Sequence, residues 1–136
     1  MVDRVEPQAT ADLVDEYGEA LASIPVQLRS FGRHARFAGP AVTVKCFEDN
    51  ALLKKTLSDH TDPQGRVLVV DGGGSLRSAL VGDLIAAIAV ERGWAGIVVH
   101  GCIRDSVAIN ALEIGGVTVR PGQVVHSDED GIVVLP

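Results

Sequence analysis

The sequence predicts one α/β domain over residues 1–136, built on a mixed sheet flanked by helices. Three observations carry that reading. Two uninterrupted apolar runs, "RVLVVDGGG" and "AGIVVHG", have the composition of strands buried on both faces. The stretch between them, "VGDLIAAIAVERGW", has a helical apolar period, so the three form a βαβ unit with an expected right-handed crossover. The tail, "GVTVRPGQVVHSDEDGIVVLP", alternates short β-branched runs with turn residues.

Each element follows from local chemistry. "ATADLVDEYGEAL" reads as a short helix with Thr10 as its N-cap and acids in the early turns. "ARFAGPAVTVKCFE" reads as a strand that starts after a Gly39-Pro40 break. "DNALLKKTLSD" is a helix capped by Asp49 or Asn50, with Leu52, Leu53 and Leu57 on one face. In the central helix Leu84, Ile85, Ile88 and Ala89 form the apolar stripe, and Gly93 stops it. "SVAINALEIG" reads as a further short helix, with Ile109 and Leu112 inward. The tail reads as three strands, with turns at Pro121-Gly122 and Asp130-Gly131.

Composition narrows the function. A net charge of −6 argues against nucleic acid as a partner, because phosphate binding needs a basic surface. No apolar run reaches membrane-spanning length, and the first residues lack a signal pattern. The two cysteines, Cys46 and Cys102, read as reduced thiols. The expectation is a soluble, cytoplasmic protein with no membrane or nucleic-acid partner.

Several motifs invite chemistry. Gly72, Gly73 and Gly74 match neither a P-loop nor a dinucleotide fingerprint, but their N–H groups suit a carboxylate. Gly82-Asp83-Leu84-Ile85 opens the main helix, where N–H groups favour anions, though Asp83 also suits a plain cap. Arg104-Asp105 closes the second buried run, at the strand end where ligands collect in open α/β sheets. An arginine holds a carboxylate with two parallel hydrogen bonds, and an aspartate holds a hard cation such as Mg²⁺. Together these parts suit a small keto-acid. His100 and Cys102 share a strand face but have no third orienting group, and His34, His60 and His126 lack metal-ligand spacing. "SDEDG" reads as a turn before it reads as a cation loop, and Trp94 as a packing anchor.

Four segments, "GPAVTVKCFEDNALLK", "RVLVVDGGGSLRSALVGDLIA", "GWAGIVVHGCIRD" and "GGVTVRPGQVVHSDEDGIVVLP", resemble the family named for the regulator of ribonuclease activity A. That family also holds class II 4-hydroxy-4-methyl-2-oxoglutarate aldolases. The most specific feature is an aspartate, twenty residues, then Arg-Asp: Asp83, Leu84 through Ile103, Arg104-Asp105. The resemblance implies a swivelling β/β/α fold and a homotrimer or dimer of trimers. It implies substrate contacts at Gly82, Asp83, Leu84, Ile85 and Arg104, and a divalent metal, Mg²⁺ or Mn²⁺, at Asp105. The implied reaction is cleavage of 4-hydroxy-4-methyl-2-oxoglutarate to two pyruvates, with oxaloacetate decarboxylation beside it. Asp83 and Arg104 would be catalytic, and no Schiff-base lysine is required.

Two features depart from the family. Gly115 runs straight into Gly116 where the family has a long additional stretch, and Ala108 stands where some members carry another acid. The family's namesake inhibits an endoribonuclease by protein contact, which is the competing expectation. A menaquinone-pathway methyltransferase label also attaches to such sequences, but no S-adenosylmethionine-binding pattern is present.

Overall fold

A computed structural model describes residues 4–31, 35–104 and 121–136. In chain order the elements are α1 (Thr10–Tyr17), β1 (Ala22–Ser23), β2 (Phe37–Lys45), α2 (Ala51–Asp59), β3 (Val67–Asp71), β4 (Ala79–Val81), α3 (Asp83–Glu91), β5 (Gly96–His100), β6 (Cys102–Ile103), β7 (Val124–Ser127) and β8 (Ile132–Val134). The helix expected at "SVAINALEIG" and the first tail strand lie outside the described residues.

The two apolar runs form β3 and β5, paired in parallel from Val67↔Gly96 to Asp71↔His100. Both faces of this pair are covered, as uninterrupted apolar strands require. On one face Leu68, Val70 and Val99 meet Leu53 and Leu57 of α2 and Ile85 and Ala89 of α3. On the other, Val67, Val69 and Val98 meet Phe37, Val125, Ile132 and Val134. Each Val, Leu, Ile or Phe among them contributes about 1.5–3 kcal/mol when fully buried. The whole is a curled mixed sheet of order β1-β8-β7-β2-β3-β5, with β4 and β6 as a separate parallel pair.

β2 joins the two halves. Phe37–Pro40 pairs antiparallel with β7, and Ala41–Lys45 pairs parallel with β3. The Gly39-Pro40 pair therefore does not break the chain ahead of the strand, as expected, but lies within it at the change of partner. Pro40 sits in the half bonded along one edge only, where a missing N–H is tolerated. Gly39 lets the Gly65 carbonyl lie against the strand, where a Cβ would collide.

Three other expectations are corrected. Thr10 is not the N-cap of α1; Ala9 is, and no side chain from it caps the helix. Instead Asp128 reaches across and accepts from the Thr10 N–H at 2.8 Å and the Thr10 hydroxyl at 2.9 Å. Leu52 is 52% exposed and Leu84 75% exposed, so neither belongs to its helix's inward stripe. In each first turn the next residue, Leu53 or Ile85, faces the core, and Leu52 and Leu84 lie one helical step, about 100°, around from it.

Other expectations hold. Gly93 ends α3 with φ +79°, and Trp94 is buried with its indole N–H on the Leu57 carbonyl. His126 is buried and satisfied, accepting the Gln8 N–H at Nδ1, 3.2 Å away. "SDEDG" is a turn: Asp128 accepts from the N–H groups of Asp130 and Gly131. That carboxylate already has four donors and is spent on structure.

Candidate functional site

The segments holding the expected site residues meet through β4 and β6. Ala79 pairs with Cys102 and Val81 with Ile103, with a register shift between them. Directly after this pair, Arg104 donates its backbone N–H to the Val81 carbonyl at 3.0 Å. Val81 leads into Gly82, which is buried and extended and is the N-cap of α3. Residues more than twenty positions apart in sequence thus leave one small parallel pair together. Asp83 and Arg104 are both exposed at that exit, and Asp105 lies outside the described residues.

Asp83 is the first helical residue rather than the cap. Its Oδ1 accepts the Leu84 N–H at 2.8 Å, so the carboxylate is held at the positive end of the helix. Ile85 is buried and anchors the turn, while Leu84 stands in solvent beside Asp83. The turn therefore presents polar backbone, a carboxylate and one apolar side chain outward.

The glycine loop behaves differently from the expectation. Gly72 and Gly74 donate to the His100 carbonyl, at 2.9 and 3.2 Å, and Gly73 donates to Asp71 Oδ1 at 2.9 Å. The three N–H groups expected to hold a carboxylate ligand are engaged within the fold. Gly73 and Gly74 have positive φ, which the turn needs, and a Cβ at Gly72 would strike Leu80 and the His100 carbonyl.

Cys46 lies next to this loop, its N–H on the Asp71 carbonyl at 3.0 Å. Burial raises its thiol pKa, and Asp49 and Asp71 raise it further. A thiol held protonated in this way is a poor nucleophile. His60 accepts the Asp62 N–H and sets its ring edge-on to Trp94, a packing role. His34 lies outside the described residues.

Among the described residues no group of three or more His, Cys, Asp or Glu is placed to hold a metal ion. Mg²⁺ needs only one or two carboxylates, with water completing its shell. Asp83 offers one exposed carboxylate at the β4–β6 exit, while Asp105, the metal ligand the resemblance implies, lies outside the described residues. An exposed carboxylate is a hard oxygen donor, the chemistry that such a cation takes.

The family model described as "RraA-like: Aldolase/RraA" matches residues 10–115. The chain belongs to the RraA-like family. Relatives within and around it carry different names. A protein of Laribacter hongkongensis (strain HLHK9) named "Putative 4-hydroxy-4-methyl-2-oxoglutarate aldolase" is 46% identical over 153 residues, covering 93% of this chain and 95% of that one. The structure of the RNA-processing inhibitor RraA from Thermus thermophilis is 41% identical, covers 96% of this chain and 94% of that one, and superposes with a TM-score of 0.85. A structure titled S-adenosylmethionine: 2-dimethylmenaquinone methyltransferase, from Geobacillus kaustophilus HTA426, is 40% identical, covers 94% of each chain and gives 0.84. The RraA fold expected from sequence is therefore the fold observed. One fold carrying three names leaves function to be argued from the site. The 153-residue alignment is longer than this RraA-like chain, so the Laribacter protein has residues with no counterpart here.

Proposed function

We propose that this RraA-like protein is a divalent-metal-dependent aldolase. It cleaves 4-hydroxy-4-methyl-2-oxoglutarate to two pyruvates and decarboxylates oxaloacetate. The observation that carries the reading is the Arg104 N–H on the Val81 carbonyl, which sets Arg104 beside the Gly82–Ile85 turn. The name of the Laribacter relative supports it.

Both reactions break a C–C bond next to a ketone and leave its electron pair as a pyruvate enolate. In this reading Gly82, Asp83, Leu84, Ile85 and Arg104 bind the substrate. The Arg104 guanidinium grips its carboxylate with two parallel hydrogen bonds and offsets the charge that grows on the enolate oxygen. Asp83, through one water, takes the hydroxyl proton in aldol cleavage and returns a proton to the enolate carbon. Decarboxylation needs no initial base, so one site serves both substrates. Asp105 would hold Mg²⁺ or Mn²⁺, which when bound polarises the keto oxygen as a Lewis acid.

The family match ends at residue 115, and we place the segment absent from this chain at the Gly115-Gly116 junction. Cytoplasmic location and assembly as a homotrimer or dimer of trimers complete the proposal. No helix among the described residues is long and apolar enough to cross a membrane.

The test is pyruvate release from each substrate with Mg²⁺ or Mn²⁺, with and without a chelator. Equal rates with and without the chelator reject the metal dependence, and no release above buffer rejects the enzyme. The likeness to the Thermus inhibitor favours a second reading, contact with an endoribonuclease. Capture of a purified endoribonuclease by the tagged protein, with loss of RNA cleavage, tests that role.

A further inference from the structure

The turn that follows β2 breaks two local rules at once. Glu48 has φ +58°, the one non-glycine residue in the left-handed region among those described. Such strain persists only where surrounding contacts impose it, and it gathers at functional sites. Here the contacts are visible: Ser75 donates its hydroxyl to Glu48 Oε1 at 2.8 Å, Cys46 donates to Asp71, and Phe47 lies against Gly73.

The second broken rule concerns Asn50. It is the N-cap residue of α2, a position that asparagine favours because its side chain bonds the helix's own N–H groups. Asn50 does not cap. Its Nδ2 donates instead to the Leu80 carbonyl at 3.2 Å, thirty positions along the chain. Asp49 Oδ1 takes the Ala51 N–H in its place. The neighbour takes over the cap, and the Asn50 amide is committed to a distant segment rather than to its own helix.

The recipient explains the exchange. Leu80 and Val81 are consecutive in β4. The carbonyl of Leu80 is held by Asn50 and that of Val81 by the Arg104 N–H. The short β4 strand is thus fastened to α2 through one carbonyl and to the Arg104 backbone through the next, just before Gly82 opens α3.

We propose that Asn50 is a positioning residue of the same site: by holding the Leu80 carbonyl it sets the distance between the Gly82–Ile85 turn and Arg104. The strained Glu48 turn delivers Asn50 to that carbonyl. The role in catalysis rests on the aldolase reading; the role in geometry does not.

The experiment compares Asn50→Ala and Asn50→Asp, which keeps the shape but lacks the donor, with Asp49→Ala, which loosens the start of α2 without touching Leu80. Amide hydrogen exchange at Arg104 and oxaloacetate kinetics with Mg²⁺ are read on all of them, with thermal melting as control. Both Asn50 variants should speed exchange at the Arg104 N–H and lower kcat about 10- to 100-fold, with a smaller change in KM. Asp49→Ala should lower only the melting temperature. If the Asn50 variants behave as Asp49→Ala does, Asn50 is a merely structural contact and the proposal is overturned. If one variant does not fold, the other decides. If the wild type releases no pyruvate, the aldolase reading falls, and the exchange measurement alone upholds or overturns the positioning role.

Discussion

Asp128 and Thr10 bind each other twice, through the Thr10 N–H and the Thr10 hydroxyl, across 118 positions of sequence. The carboxylate ties the start of α1 to the β7–β8 turn and serves as a helix cap supplied from the far end of the chain. Asp128→Asn turns one acceptor into a donor that faces the groups it should receive. A loss of about 2–3 kcal/mol is expected in urea unfolding. Burial alone would raise the Asp128 pKa, but the hydrogen bonds from Thr10, Asp130 and Gly131 outweigh it and hold the carboxyl below its usual value. Its contribution is therefore full above the unfolded pKa and lost as acid carries the pH down through the lowered folded value. A wild type no more acid-sensitive than Asp128→Asn would contradict this.

His126 gives a second, separate acid response. Burial lowers its pKa from the ordinary 6.5, and its Nδ1 accepts the Gln8 N–H, so the folded chain holds it neutral with its proton on Nε2. Protonation removes that acceptor. Unfolded chains bind the proton first, so stability falls as pH drops below about 6.5 toward the lower folded value. Melting temperatures measured from pH 8 to 5 should decline in the wild type more than in His126→Asn, which keeps an acceptor but does not titrate.

Gly39→Ala tests the close approach beneath β2. The new methyl would fall on the Gly65 carbonyl, a backbone atom with no rotamer to yield. Destabilisation of about 3 kcal/mol is expected in denaturant. The same change at Gly131, where no atom stands within 4 Å, should cost far less. Equal effects at both positions would show that the strand relaxes around Gly39.

Arg104→Ala addresses the chemistry. Removing one preorganised donor from the site costs about 3 kcal/mol of transition-state stabilisation, or roughly a hundredfold in kcat. Arg104 is exposed and its backbone bond to Val81 survives the change, so the melting temperature should barely move. Unchanged pyruvate release in this variant would remove Arg104 from the proposed mechanism.

Where Gly82, Asp83 and Arg104 of the candidate site fall in the chain was legible, because its carriers are punctuation. Gly82 before a helical period marks the start of α3, and Arg104 marks the end of a buried run. Asn50 was not legible, because an asparagine before "ALLKK" reads as a cap and nothing local says that its amide points elsewhere. The glycine loop misled for a related reason. Three adjacent glycines announce accessible N–H groups, but the partner that takes two of them is the carbonyl of His100, on another strand. β4 and β6 were also missed, since two or three residues carry too little periodicity to register as strands.

The sequence alone determined the doubly buried strands and the helix between them, because apolar continuity and helical period are local patterns that only one packing satisfies. Its resemblance to a known family, carried by four segments, also pointed to the RraA-like family that the family model matches over residues 10–115. The tertiary structure decided which side chains serve other segments: Asp128 caps α1, Asn50 holds β4, and Gly39 admits Gly65. Those roles depend on atoms brought together from distant positions, and hydrogen bonding and close contact are set by distance in space, which no local pattern encodes.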